Sequence, residues 1–146
     1  MSRKDPLLNC RFRVEIDGMS QAGFSEVSFA DTIIDLVEYR EGSDPGHVRK
    51  LPGLTRMGNV TLKLGVTDSM ELFRWYADTA ALGHTTSGNR RNVVVVVMDE
   101  AGQDKARFVV SDAWPIKYAV GPLNAKGNDV LIETLELVNE GIERVN

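Results

Sequence analysis

The chain's 146 residues are 42% hydrophobic and 26% charged, with a formal net charge of −4, which suits one globular domain able to build a core without metal or disulfide. Cys10 is the single cysteine, so no internal disulfide can form, and the acidic balance gives no general reason to expect nucleic acid as a partner. The opening MSRKDPLLNC carries no apolar signal-like run, and the longest apolar stretch, VVVVVM, is far too short to span a bilayer. Synthesis in the cytoplasm without a signal peptide is therefore expected.

No composition shift or linker divides the chain, so a single domain over 1–146 is expected, with a flexible N-terminus over about 1–6. The first element is CRFRVEI, where Phe12, Val14 and Ile16 alternate with Arg11, Arg13 and Glu15: a half-buried strand closed by the turn pair Asp17-Gly18. Residues 22–29 and 32–40 read as two further strands. A long loop rich in glycine and proline follows over about 40–58, and connections of that length tend to be functional or disordered. NVTLKLGV then alternates again, with Val60, Leu62, Leu64 and Val66 in phase.

The period changes in TDSMELFRWYADTAALGH. Leu72, Phe73, Tyr76 and Ala80 share a face of a helix expected over about 68–82, with Asp68 and Glu71 capping its start and Gly83 its end. Strands resume at 92–98 and about 105–112 around the turn DEAGQD. The proline of WPIKY then reads as an interruption, and a last strand runs through DVLIETLELV. Seven or so strands and one helix predict a mainly β (α+β) fold: two packed antiparallel sheets or a split β-barrel, one flanking α-helix and a long inter-strand loop.

Two strands read as apolar on both sides. One is VVVVVM; the other has Leu131, Leu135 and Leu137 on one side and Val130, Ile132 and Val138 on the other. Such strands belong either in the middle of a two-layer domain or at a face buried by another copy of the chain.

Catalytic chemistry is not written in these residues. His47 and His84 lie in glycine-rich loops with no third ligand at metal spacing, Cys10 has no neighbouring base, and no strand–glycine loop–helix cradle for phosphate occurs. Trp75 and Trp114 read as core anchors. No enzyme, metal site or cofactor is expected.

Several stretches in order, DPLLNCRFRVEIDG, AGFSEVSF, VEYREG followed by RKLPGLTRMGNVTLKLGVTDSMELFRW, then DAWPIKY and ETLELVNEGIERV, resemble the tail tube (inner tube) protein family of contractile phage tails and phage-tail-like contractile injection systems. The likeness runs from Asp5 to the C-terminus. Phe29-Ala30 stands where Gly-Leu is expected, and Asn139 where a histidine is common. The resemblance implies a hexameric ring, stacked into a hollow tube that a contracting sheath propels and that conducts DNA or protein cargo. Implied partners are other copies of the chain, the sheath, the baseplate and spike hub, the tape-measure and the cap or terminator proteins. The particle would assemble in the cytoplasm and then be released.

On this reading the loop is the assembly device: Tyr39, Arg40, Glu41, Asp44, Arg49, Lys50, Leu51, Pro52 and Gly53 would reach adjacent subunits and the next ring. Three rivals remain. One is the structurally similar secreted ring protein of type six secretion, another a small β-barrel enzyme or ligand-binding module, and the third a single-strand nucleic-acid binder.

Overall fold

A computed structural model describes residues 5–9, 11–19, 23–40, 42, 46, 48–82 and 89–146. Nine strands and one helix follow in chain order: β1 (Phe12–Ile16), β2 (Phe24–Phe29), β3 (Ile33–Tyr39), β4 (Arg49–Arg56), β5 (Val60–Gly65), α1 (Glu71–Leu82), β6 (Arg91–Met98), β7 (Asp104–Val120), β8 (Ile132–Val138) and β9 (Gly141–Arg144). The fold is mainly β, as the alternation implies. All strand pairs are antiparallel.

Two sheets share one long strand. The first half of β7 lies between β6 and β9, with β1 beyond β6; its second half pairs β8, followed by β5 and β2. The crossing from one sheet to the other falls at residues 111–117. Asp112 there adopts φ 50°, its N–H donating to Asn92 Oδ1 at 3.1 Å, and the register slips between Pro115 and Lys117. Bulges and bends of this kind turn a strand through a sheet corner. Pro115, expected to interrupt the strand, sits buried in that corner in register with Leu137, so β7 runs on through it. The sheets do not close into a barrel: beside β2 a cleft of about 630 Å³ opens, lined in part by Phe12, Val27, Val95 and Val97.

The core lies between the sheets. Val14 and Ile16 of β1, Val60, Leu62 and Leu64 of β5, Val93 and Val95 of β6, Val110 and Ala113 of β7, and Leu135 and Leu137 of β8 form one buried cluster. β8 alternates more cleanly than expected: its inward face is Glu133, Leu135 and Leu137, while Val130 and Leu131 precede the strand. β6 is the strand that buries both sides. Val96, fully buried on the opposite face from Val93 and Val95, has Arg13 and Arg107 as its cross-strand neighbours. Such side chains can lay their stems over a valine while their charged heads stay in water.

Helix α1 packs against this core through Leu72 and Trp75, with Tyr76 beside them. The inward face is therefore shifted from the one expected: Ala80 is exposed, and Phe73 leaves the core to meet the ring of Tyr118 edge-on at 5.4 Å. The start is capped by Ser69, whose Oγ accepts from Glu71 N at 3.5 Å, and Met70 O accepts the first helical bond from Arg74 N at 2.9 Å. The expected cap at Gly83 lies outside the described residues, as do Cys10, His47 and His84 and part of the N-terminal segment. Trp75 is a core anchor, its Nε1 donating to Asn89 O at 2.6 Å; Trp114 is half-buried and outside the main cluster.

Candidate assembly interface

Part of the stretch expected as a loop over about 40–58 is a strand. β4 occupies Arg49–Arg56 and pairs with β3 from Ile33↔Arg56 to Tyr39↔Arg49, so the two form a hairpin arm. These strands hydrogen-bond to each other and join neither of the main sheets. Of the residues expected to mediate assembly, Tyr39 lies on β3, Arg40 directly follows it, and Arg49, Lys50, Leu51, Pro52 and Gly53 lie on β4; Glu41 and Asp44 lie outside the described residues.

Register sorts the arm's side chains. Leu36 and Pro52 share one face, joined by Ile34 and by Glu38 opposite Lys50. Val37 and Leu51 share the other, joined by Ile33 and by Tyr39 opposite Arg49. Both faces carry apolar side chains and are charged toward the tip, and Asp35, paired with Arg56, interrupts the second between Ile33 and Val37. Ile33, Ile34, Leu36, Val37, Tyr39 and Leu51 all stand roughly half exposed, and Leu54 is 76% exposed. A two-stranded hairpin is marginal alone in water, and covering such side chains recovers part of the roughly 1.5–3 kcal/mol that full burial of each is worth.

Its shape is set by glycine and a bulge. Between Ile34↔Thr55 and Leu36↔Pro52, Gly53 and Leu54 oppose the single residue Asp35. A Cβ on Gly53 would come within 2.8 Å of Val37 Cγ2 and 2.9 Å of Asp35 O, so a side chain there would force the strands apart. Asp35 Oδ2 accepts from Arg56 Nε at 3.0 Å across the same bulge. Gly53, expected in a loop, lies instead at a close approach of two strands.

The base of the arm is pinned to the body. Ala30 N donates to Asn59 O at 2.9 Å, and a Cβ at Gly58 would fall on the carbonyl of Ala30, so only glycine lets the two chains pass. Asn139 Nδ2, from the end of β8, donates to Gly58 O at 2.9 Å, and Asn59 Nδ2 reaches Glu136 Oε2 at 3.3 Å. Ala30 and Asn139, two positions where the sequence departs from the family pattern, therefore meet at one joint. Sequence reasoning missed this joint, because its residues are brought together from three separate stretches.

The body presents two further polar clusters. On the outer face of the first sheet, Arg13 donates to both Asp104 oxygens at 2.7 and 2.8 Å and to Glu15 at 3.0 Å. The Arg13 guanidinium holds the Asp104 carboxyl below its ordinary range. Under α1, Tyr118 Oη donates to the buried Glu133 Oε2 at 2.6 Å; burial first, and that hydrogen bond second, push the Tyr118 hydroxyl up to about 12. Among the described residues, no group of three or more His, Cys, Asp or Glu side chains is placed to hold a metal, and no helix is long and apolar enough to cross a membrane.

Curated protein sequences return no match. Among solved structures, the chain is similar to a chain of the PVC sheath/tube terminator of an extracellular contractile injection system in the extended state, at 26% identity and a TM-score of 0.85 over 99% of this chain and 100% of that one. A chain of the PVC sheath-tube complex in the extended state shares 26% identity at a TM-score of 0.80, over 95% of this chain and 90% of that one. Hcp1 from Flavobacterium johnsoniae, 18% identical with a TM-score of 0.60 over 92% of this chain and 94% of that one, shares the fold. The family model described as T4-like virus tail tube protein gp19 matches residues 8–143. With that match spanning nearly the whole molecule, the chain belongs to the T4-like tail tube protein family.

Proposed function

We propose that this chain is the structural inner-tube subunit of a phage tail or contractile injection particle, forming hexameric rings that stack into a hollow conduit. The observation that carries this reading is the β3–β4 arm, which exposes apolar side chains on both faces while lying outside both sheets of its own chain. Among the described residues β1, β2 and β9 lie at sheet edges, where backbone groups can pair with a neighbour.

The role is mechanical rather than catalytic. Lateral pairing of strands between copies would remove exposed edges and stiffen each ring, and head-to-tail stacking would extend the tube without limit until a terminator stops it. A sheath around the tube supplies the stroke, a baseplate and spike hub its leading end, and a tape-measure its length, with DNA or protein as the cargo in the lumen. Arg49, Lys50 and Glu38 on the arm set orientation between identical copies more than raw affinity, since exposed pairs add only about 0–1 kcal/mol each.

Exchanging Arg49→Glu together with Lys50→Glu tests the arm's part in this. Micrographs of that variant are expected to show rings or monomers with few tubes. Tubes of normal length would contradict the assignment of these residues.

A further inference from the structure

The arm is the β2–β5 pair carried on past a break. β2 and β5 stay in register to Phe29↔Val60; after residues 30–32 on one chain and 57–59 on the other, β3 and β4 resume the pairing at Ile33↔Arg56. With no ladder from the arm to either main sheet, its direction is set at this break. The seven residues of β3 make a lever of roughly 23 Å, so a swing of about 20° at its base moves its tip by roughly 8 Å. Short connections between elements absorb such swings unless something ties them.

Three ties cross the break, and two of them come from the end of β8. Ala30 N donates to Asn59 O at 2.9 Å. The β5–β8 ladder ends at Val60↔Leu137, and side chains carry on from there: Glu136 Oε2 accepts from Asn59 Nδ2 at 3.3 Å, and Asn139 Nδ2 donates to Gly58 O at 2.9 Å. Asn139 is itself fixed from the first sheet. The next residue, Glu140, donates its N–H to Ser111 O at 2.9 Å, and its Oε1 accepts from Arg90 Nη1 at 2.9 Å. The arm is thereby referenced to both sheets at once. The crossing has little slack, since Gly58 is buried and a Cβ on it would fall on the Ala30 carbonyl and 2.8 Å from Asp31 O.

Asn139 Oδ1 is buried and meets no hydrogen-bond donor among the described residues. An apolar side chain would avoid that cost, so what this position supplies is the donor. Gly58 O fixes the amide's orientation, because only the NH2 end can face a carbonyl.

We infer that Asn139 is the positioning residue of the arm: it holds the β3–β4 hairpin at one angle to the body in the free chain, so the arm is aimed before a second copy arrives. An arm fixed in advance loses less conformational freedom on contact, which favours association. The fixed angle stands on this chain's own contacts, whereas its use in assembly rests on the tube reading above.

The test places spin labels on the full chain with Cys10→Ser, one at Lys50→Cys on the arm and one at Ala119→Cys on β7, both exposed positions. Distances are read by pulsed dipolar spectroscopy at a concentration where light scattering shows single chains. The labelled parent is expected to give one narrow distance. Asn139→Asp, which keeps the shape of the side chain but sets an oxygen against Gly58 O, is expected to give a distribution about twofold wider. Asn139→Ala removes the donor without adding charge; it is expected to broaden the distance too, and it carries the test if the aspartate variant does not fold. Leu62→Ala, which weakens the core and leaves the joint intact, is expected to keep the narrow distance. Asn139 variants as narrow as the parent, a parent that is already broad, or equal broadening by Leu62→Ala would overturn the inference. Broadening by the Asn139 variants in a chain that forms neither rings nor tubes would support it and contradict the tube reading.

Discussion

At the scale of single residues, the joint at Gly58 concentrates the most constraint in the fewest atoms. A methyl group there collides with the Ala30 backbone, which cannot swing aside as a flexible side chain would. Gly58→Ala is expected to lower stability by about 1–3 kcal/mol, the usual cost of overpacking, read as a shifted midpoint in urea. Asn139→Ala, which removes the bond to Gly58 O, is expected to cost about 0.5–1.5 kcal/mol by the same measurement. Tyr118 supplies a pH signature. Its hydroxyl ionises near 12 in the folded chain, above its ordinary 10.0, so the folded state holds that proton more tightly than the unfolded one. The corresponding stability is fully present below pH 10 and is lost as pH rises through the folded value. Ultraviolet titration of tyrosinate is expected to show one tyrosine ionising late, and Tyr118→Phe to remove that late step; ordinary titration of all tyrosines would contradict the buried pair.

At the scale of elements, body and arm obey different rules. Leu62 in β5 is fully buried, and Leu62→Ala is expected to cost about 2–5 kcal/mol in unfolding experiments. Leu36→Asp with Leu51→Asp, on opposite faces of the exposed arm, is expected to leave the unfolding midpoint of the isolated chain nearly unchanged while blocking assembly seen by chromatography. The same distinction decided what could be read from the sequence. β1 and β5 were legible because each has one face in the core and one in water, which imposes strict alternation. β4 was not: RKLPGLTR meets no core of its own chain, so nothing imposes a period, and its glycine and proline read as loop. β7 was cut short at Pro115 because a proline in the middle of a ladder loses a hydrogen bond; at a sheet corner with a register slip that cost disappears. The helix was legible at its end, but it starts at Glu71 with Ser69 rather than Asp68 as its cap, and its face was misplaced because exposed Phe73 meets Tyr118 at the margin of the core. The family pattern singled out residues of the arm, while their placement on a hairpin and the joint beneath it required the fold.

At the scale of the whole molecule, a well-formed core sits beside apolar surface that the core does not need. Thirteen buried residues from five strands and the helix make one cluster, and none of them lies on the arm. The most direct measurement is sedimentation velocity of the purified wild-type chain over a rising concentration series. Growth from small species through a discrete ring to long, heterogeneous rods is expected. A single monomeric species persisting to high concentration would contradict self-assembly through the arm.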